Sequence, residues 1–265
     1  MTKIFSRDEL GELFASFYGM DGGNLKAPLW VCGIEHGSTA EHLCEAPREE
    51  KAGHWTAEKK NGLRIRSWPY WRNISKIIVA TARGAQGESE LKVNAVPHWE
   101  VYRDNHLHTL HGWDFKLNLF PLQCSSVSAA DWTEYHGQQP ELANKESYRQ
   151  LCRDGGRFAF IRRTVDYHRP KVIFANGVQF RSDFVDAFGF EGSPREIHIE
   201  DGNQARTLFA YERNDARGGK ITLVVSPFPG SRHGLNSNKL MEEAGKTLSQ
   251  YFNADDFDPD RLGRQ

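Results

Sequence analysis

Four short apolar runs, each followed by a polar or glycine-rich segment, constrain the fold of this 265-residue chain more than any other feature. Runs of about five apolar residues are typical of strands that are buried on both faces of a parallel sheet. The runs cover residues 29–33, 115–119, 171–175 and 221–225. Because open α/β sheets bind ligands at the carboxyl ends of their strands, the sequence predicts one cleft assembled from distant parts of the chain.

Length and pattern together favour a single α/β domain over residues 1–254. Polar stretches near 38–67 and 84–113 interrupt the pattern of strands and helices, and we interpret them as loop insertions over the strand ends. Two further β-like runs, 195–200 and 207–212, precede the last apolar run. We expect them to form a hairpin at the edge of the sheet.

Composition and charge exclude several classes of protein. A formal charge of −1 argues against a protein that coats nucleic acid through bulk charge, although a local basic face over one cleft is compatible with it. No signal-peptide core or membrane-length apolar run is present, so we expect a cytoplasmic protein.

The acidic tail at 255–265 is expected to be flexible. Four cysteines without a CxxC pair are expected to be reduced thiols: Cys32, Cys44, Cys124 and Cys152.

One carboxylate stands out at the end of the first apolar run. Glu35 lies between Gly33 and Gly37, and glycines at a strand end let the backbone turn sharply and approach a ligand. A charged side chain there points toward the expected cleft, which packing alone does not explain. The alternative is a carboxylate that is stabilised at a helix N-terminus by the helix dipole.

The order of these motifs resembles that of the uracil-DNA glycosylase superfamily. GIEHG at 33–37 resembles the first motif of that family, Asn118 falls at its base-reading asparagine, and SPFP at 226–229 resembles its last motif. The resemblance extends over about residues 28–250. It implies a three-layer α/β/α sandwich on a four-stranded parallel sheet, no cofactor, and hydrolysis of the N-glycosidic bond of a flipped-out base.

The resemblance also implies roles for individual residues. Glu35 takes the position of the catalytic carboxylate, Asn118 is expected to read the base, and His233 is a candidate acid or base. The catalytic set is therefore Glu35, Asn118 and His233. The expected substrate-binding set is Gly33, Ile34, His36, Gly37, Trp68, Tyr70, Trp71, Asn118 and Ser226. The expected DNA-binding set is Pro227, Phe228, Pro229, Gly230, Ser231, Arg232 and Gly234.

Two of these sets have ordinary structural alternatives. The 227–232 loop has an apolar tip and a cation, which suit a wedge between base steps beside phosphate contacts, but it also suits a rigid turn from strand to helix. Trp68, Tyr70 and Trp71 provide flat rings for stacking on a base, whereas core packing is the alternative. For Asn118 the alternative is a turn-forming residue at a strand end.

The chain departs from the family pattern at three positions. His36 replaces the usual proline, which removes a fixed φ, and Glu35 stands where the family usually has Asp or Asn. Ser226 stands where the family has the histidine that stabilises the oxyanion of the base, and His233, seven residues on, is a candidate for that role. These departures favour an altered base specificity, such as a modified pyrimidine of phage DNA. We expect no lysine from the matched motifs in the site, and therefore no Schiff-base lyase step.

Four histidines at 98, 106, 108 and 111 suggest a metal site, but apart from Asp104 and Asp114 they lack neighbouring carboxylates or cysteines at the usual ligand spacing. We therefore expect no metal there and interpret them as surface residues.

The sequence thus predicts a monofunctional DNA glycosylase that acts on a modified or damaged base in duplex or single-stranded DNA, with a role in repair or antiviral defence. Two alternatives remain open at this point. One is a hydrolase or transferase that acts on free nucleosides or nucleotides, which the near-zero net charge favours. The other is a non-catalytic nucleic-acid sensor, in which Ser226 marks lost chemistry.

Overall fold

The computed structural model describes residues 3–35, 48–63, 65–87, 96–124 and 132–262. Within these residues the chain forms one mixed sheet of seven strands, with helices packed on both faces. No helix in this part of the chain is both long enough and apolar enough to cross a lipid bilayer.

The strands run in the order β1-β3-β2-β4-β7-β6-β5 across the sheet. The four central strands, β3, β2, β4 and β7, are parallel and are buried along almost their whole length. The strands are β1 Gly22–Gly23, β2 Leu29–Gly33, β3 Asp114–Asn118, β4 Val172–Asn176, β5 Arg195–Glu200, β6 Ala205–Asn214 and β7 Lys220–Ser226.

The α/β class is confirmed, but the prediction of a four-stranded, purely parallel sheet is wrong. Antiparallel strands extend the parallel centre at both edges: β1 pairs with β3, and β6 pairs with β7. Strand β5 pairs with β6, so the predicted edge hairpin is present. Exposed and buried residues mix along β5 and β6, so these two strands are only partly covered by the rest of the protein, as expected at a sheet edge.

The helices cover the two faces of the sheet unequally. Trp30 and Cys32 of β2 pack toward α1, α6, α7 and α8, whereas Leu29 and Val31 pack toward α3 and α9. The helices are α1 Arg7–Phe14, α2 Ala57–Gly62, α3 Pro69–Gln86, α4 Trp99–Val101, α5 Trp132–His136, α6 Lys145–Asp154, α7 Arg157–His168, α8 Arg181–Phe188 and α9 Asn238–Ser249. Shorter turns are a π-helix at Tyr102–His106 and 3₁₀ turns at Ile65–Ser67, Pro140–Leu142, Val178–Phe180, Ala254–Phe257 and Pro259–Arg261.

Local sequence signals explain where several helices begin. Ser6 and Glu9 form a capping box at the start of α1, and Pro69 occupies the first turn of α3. The segment from 145 to 167 is expected to be one helix from its pattern, but it is divided into α6 and α7. Gly156 has φ +107°, a backbone conformation that a helix interior cannot contain, so the chain changes direction there.

Two regions that the sequence suggests are irregular contribute to the core. In the 84–113 insertion, Tyr102 and Trp113 are fully buried and stack on each other with ring centroids 5.2 Å apart. The predicted flexible tail instead folds back onto the body up to residue 262. Phe257 is buried against Trp113, and its carbonyl accepts a hydrogen bond of 2.7 Å from Gln86 Nε2. Burial of the Phe257 ring attaches the tail to the core in spite of the acidic residues that surround it.

Arg157, at the start of α7, is fully buried and organises the backbone behind β3. Its guanidinium donates to the carbonyl oxygens of Asn118 and Leu119 at the end of β3, at 2.7 and 3.3 Å. It also donates to three carbonyls after α1, those of Phe14, Ser16 and Tyr18. Among the described residues no carboxylate lies within salt-bridge distance of it, so five peptide dipoles solvate this charge.

The cysteines are consistent with reduced thiols in the part of the chain that the structure covers. Cys32, Cys124 and Cys152 are buried and unpaired. Burial raises the pKa of Cys32 and of Cys152 to about 12, so both remain protonated at neutral pH. Cys44 lies outside the described residues.

Candidate functional site

A cavity of about 690 Å³ lies at the carboxyl ends of the central strands. This is the position that the strand pattern predicts, because the loops after β2, β3, β4 and β7 all reach this edge of the sheet. The structure brings thirteen of the predicted residues to its wall: Gly33, Ile34, Glu35, Trp68, Tyr70, Trp71, Asn118, Pro227, Phe228, Pro229, Gly230, Ser231 and His233.

Three of the predicted residues that the structure describes are not part of this wall. Ser226 is buried at the end of β7, and its hydroxyl donates to Asn176 Oδ1 at 3.2 Å, so the side chain is directed into the sheet. Arg232 is exposed and Gly234 is buried in the loop that follows, and neither lines the cavity. His36 and Gly37 lie outside the described residues.

Glu35 is held by a lysine that the sequence analysis did not identify. Lys145 Nζ, at the start of α6, lies 2.8 Å from Glu35 Oε1, and the two side chains are 3% and 5% exposed. The second carboxylate oxygen, Oε2, is buried and has no hydrogen-bond partner among the described residues. One oxygen is therefore anchored, while the other is buried beside the cavity without a partner among the described residues.

Opposing effects set the charge of this carboxyl group. Burial raises the pKa of Glu35, and the hydrogen bond and charge of Lys145, followed by the charge of Arg149, lower it. The net direction is upward. A carboxyl group with a raised pKa and one unpartnered oxygen is suited to accept a proton from water or to stabilise a developing positive charge.

A second polar cluster forms the floor of the cavity beside the end of β3. Lys116 Nζ donates to Asn118 Oδ1 at 2.5 Å and to the Leu117 carbonyl at 2.9 Å, and it lies 3.4 Å from Asp21 Oδ2. Asn118 Nδ2 in turn donates to the Gly19 carbonyl at 2.9 Å. The amide of Asn118 is thereby fixed in one orientation, with its oxygen toward the lysine.

The polar cluster packs directly against Gly33. A Cβ atom at residue 33 would lie 2.8 Å from Asn118 Oδ1 and 2.9 Å from Lys116 Nζ, closer than real Cβ contacts allow. The lysine and the amide therefore occupy the space that a side chain at residue 33 would need. This close contact is the physical reason for a glycine in the first motif.

Aromatic rings form the opposite wall. Tyr70 and Phe228 stack with centroids 5.2 Å apart and an interplanar angle of 17°, and Trp71 packs edge-on against Tyr70. Burial raises the pKa of Tyr70 well above its ordinary value, so its hydroxyl stays protonated, and it accepts a hydrogen bond from Asn176 Nδ2 at 3.3 Å. Trp68 is 45% exposed and Phe228 is 39% exposed, which places two large apolar surfaces at the mouth.

The structure adds wall residues that sequence reasoning missed. Lys116 lines the cavity, contrary to the expectation that the matched motifs contribute no lysine; a lysine inside an apolar strand was a usable signal. Lys145 carried no such signal, because it is one of several charged residues near a helix start. The remaining additions are Asp21, Leu63, Pro69, Cys124, Val178 and Gln179.

The four histidines of the insertion do not behave alike. His98 and His111 are exposed and His106 is partly buried, but His108 is fully buried, which contradicts its interpretation as a surface residue. His108 Nδ1 makes a short hydrogen bond to Asp114 Oδ2. No group of three or more metal-ligand side chains with suitable geometry occurs among the residues that the structure describes.

The chain matches no protein-family model, and no curated protein or solved structure is significantly similar to it. The chemistry of the cavity is therefore interpreted from its own residues: an anchored carboxylate, a fixed amide beside a buried lysine, and a wall of aromatic rings.

Proposed function

We propose that this chain is a monofunctional DNA glycosylase, related to the uracil-DNA glycosylase superfamily, that flips a modified or damaged base into the cavity and hydrolyses its N-glycosidic bond. The observation that carries the proposal is the Glu35 carboxylate beside a cavity walled by flat rings: its Oε1 is anchored by Lys145, while its Oε2 has no partner in the part of the chain that the structure describes. The layered α/β/α arrangement of that family, on a parallel sheet centre, is part of the same proposal.

The reaction assigns a distinct task to each side of the cavity. Breaking the glycosidic bond develops positive charge on the sugar and negative charge on the departing base. The carboxylate of Glu35 stabilises the first and accepts a proton from the attacking water, as a carboxylate does in other glycoside hydrolyses. The base lies between the aromatic wall and the Asn118 amide, which offers polar atoms to its edge.

The loop after β7 supports a DNA substrate rather than a free nucleoside. Phe228 is exposed at its tip, and Arg232 follows on the same loop. An apolar side chain at the mouth can occupy the gap that a flipped base leaves, while the cation contacts a phosphate. This local arrangement needs no overall basic charge, in agreement with a net charge of −1.

The test is an abasic-site assay on duplex and single-stranded DNA. The panel contains uracil, hypoxanthine, hydroxymethylcytosine and its glucosylated form, together with genomic phage DNA. We expect alkali-labile breaks on at least one substrate, and their rate should fall by about 10²–10⁴-fold in Glu35→Gln, while DNA affinity is retained. Glu134→Gln, a change to an exposed carboxylate on α5, is the matched control and should have no effect.

Three outcomes would contradict the proposal. Base release that persists unchanged in Glu35→Gln would remove the carboxylate from the mechanism. Intact DNA binding without breaks on any substrate would favour a sensor, whereas cleavage of free nucleosides alone would favour a small-molecule hydrolase. Assays on damaged DNA and on phage DNA in parallel would separate a repair role from a defence role.

A further inference from the structure

We infer that Lys116 is a catalytic residue that stabilises the negative charge of the departing base. This inference rests on the proposed function, since it names the group that completes the same site. Its basis is a buried ammonium that lines the cavity, packs against Gly33 and lies beside the amide proposed to hold the base.

The first step of the argument is that the ammonium can receive another acceptor. The structure gives Lys116 two hydrogen bonds, to Asn118 Oδ1 and to the Leu117 carbonyl, and a longer ion-pair contact of 3.4 Å with Asp21. A lysine ammonium has three hydrogens. The long contact with Asp21 is the one that an incoming anion can replace or share, and the anion approaches from the cavity, which Lys116 lines.

The second step is that the residues expected to stabilise the departing base are not buried beside the Asn118 amide. The family histidine is replaced by Ser226, whose hydroxyl is directed at Asn176. His233 lines the cavity but is an exposed residue of the loop, where water screens its charge. Among the described wall residues, Lys116 is the one lysine or arginine, and its side chain is only 3% exposed.

The third step is chemical. The carbon–nitrogen bond breaks and its electron pair passes to the base nitrogen, while the oxygen of water bonds to the anomeric carbon. One proton of that water passes to Glu35 and afterwards to the base, so the products are the abasic sugar and the neutral base. Between these events the base is an anion, and a fixed cation in a water-poor cavity stabilises an anion strongly.

This role differs from that of a Schiff-base lysine. An amine that attacks a sugar needs a free electron pair, but the Lys116 nitrogen donates to two acceptors next to a carboxylate, as an ammonium does. We therefore expect no covalent protein–DNA adduct when borohydride is added during the reaction. A trapped adduct that is lost in Lys116→Met would replace charge stabilisation with a lyase mechanism.

The direct test uses a free base as the probe, so that it does not depend on turnover. 5-Nitrouracil is acidic enough to ionise near neutral pH, and its absorbance reports its charge. Wild-type protein should bind the anion at least tenfold more tightly than the neutral form, which lowers the apparent pKa of the bound base. Lys116→Met should lose this preference, whereas Lys60→Met, a change to another buried lysine that does not line the cavity, should keep it.

A kinetic measurement completes the test. With the DNA substrate found in the abasic-site assay, Lys116→Met should reduce the rate of base release by about 10²–10³-fold, the loss typical of one removed anion-stabilising donor. An anion preference that survives in Lys116→Met, or no binding of 5-nitrouracil at all, would overturn the inference. If wild-type protein releases no base but binds the anion through Lys116, the glycosylase proposal fails and the anion site stands.

Discussion

The two ends of strand β3 carry buried polar clusters of similar composition but opposite character. Asp114, at the start of the strand, accepts hydrogen bonds from the Tyr102 hydroxyl and the His108 imidazole, and rings of Trp55 and Trp71 pack against that imidazole. At the other end, the cluster of Asp21, Lys116 and Asn118 lines the cavity. Residues 114, 116 and 118 alternate to the same face of the strand, so both clusters lie on one side of the sheet.

The difference lies in what closes each cluster. Trp71 contacts both regions: its ring packs edge-on against the His108 imidazole, and the residue also lines the cavity. At the closed end, aromatic rings and neighbouring backbone surround the charges, so a substrate has no access to them. At the open end, the cavity reaches the charged residues. A buried charge therefore indicates a functional site only where the packing leaves space beside it.

The largest expected effect tests the closed end through stability. His108→Leu removes the imidazole that is hydrogen-bonded to the buried Asp114 and leaves that carboxylate without its partner, which should lower the free energy of unfolding by about 3–5 kcal/mol. Urea denaturation measures the loss. Base release per folded molecule should be unchanged at low temperature. A large loss of activity without a loss of stability would show that the two clusters are not functionally distinct.

The next effect tests the space at the open end. Gly33→Ala introduces a Cβ less than 3 Å from both Lys116 Nζ and Asn118 Oδ1. The strain should cost about 1–3 kcal/mol of stability and displace both groups, so base release should fall at least tenfold. Gly62→Ala is the control, because a Cβ there meets no atom within 4 Å. Full activity in Gly33→Ala would mean that base release does not depend on the positions of Lys116 Nζ and Asn118 Oδ1.

A change in pH dependence sharpens the comparison further. Lys145→Met removes the cation that holds the pKa of Glu35 down, while burial continues to raise that pKa. Since the mechanism uses the ionised carboxylate, the acidic limb of the rate profile should move to higher pH, with partial recovery as pH is raised.

The stability of Lys145→Met provides the cross-check. The folded-state pKa of Glu35 is raised, so the variant should be least destabilised at low pH, where the carboxyl group is protonated. It should be most destabilised above that pKa, where the carboxylate is charged and unpaired. A uniform loss of rate at every pH would instead assign Lys145 a purely structural role.

The smallest effect concerns the mouth of the cavity. Phe228→Ala removes an exposed ring that stacks on Tyr70, which should weaken binding to substrate duplex by about three- to tenfold, in keeping with 0.5–1.5 kcal/mol for such a stacked pair. Tyr167→Ala, a change to a 79% exposed ring on α7, is the control and should leave affinity unchanged. Fluorescence anisotropy with labelled duplex compares them, and equal losses in both variants would remove the loop tip from the interface.

The strand pattern predicts the position of the cavity, because the local sequence is enough to indicate a fully buried strand and the residues at its end. Glu35 and Asn118 were identified by following each apolar run to its polar end. The β5–β6 hairpin was also predicted from its two β-like runs, whereas β1 was not, because a strand of two glycines has no local pattern and forms only by pairing with β3.

Long-range contacts explain most of what the sequence did not predict. Lys145 is distant from Glu35 along the chain, and nothing in its local pattern indicates the ion pair. Phe257 was obscured by the acidic residues around it, although one buried aromatic ring was enough to attach that segment. Ser226 was assigned by its position in a motif, whereas the direction of its side chain depends on Asn176 across the sheet.

Arg157 gives the cavity floor a property that side-chain titration cannot change. Its guanidinium donates to the backbone of Asn118 from behind the strand, and carbonyl oxygens rather than carboxylates surround it. An arginine remains protonated throughout the pH range in which proteins are folded. The end of β3 therefore lies in a permanent positive electrostatic potential that is built into the scaffold, and acidification or alkalinisation of the medium can tune the reactive groups without removing it.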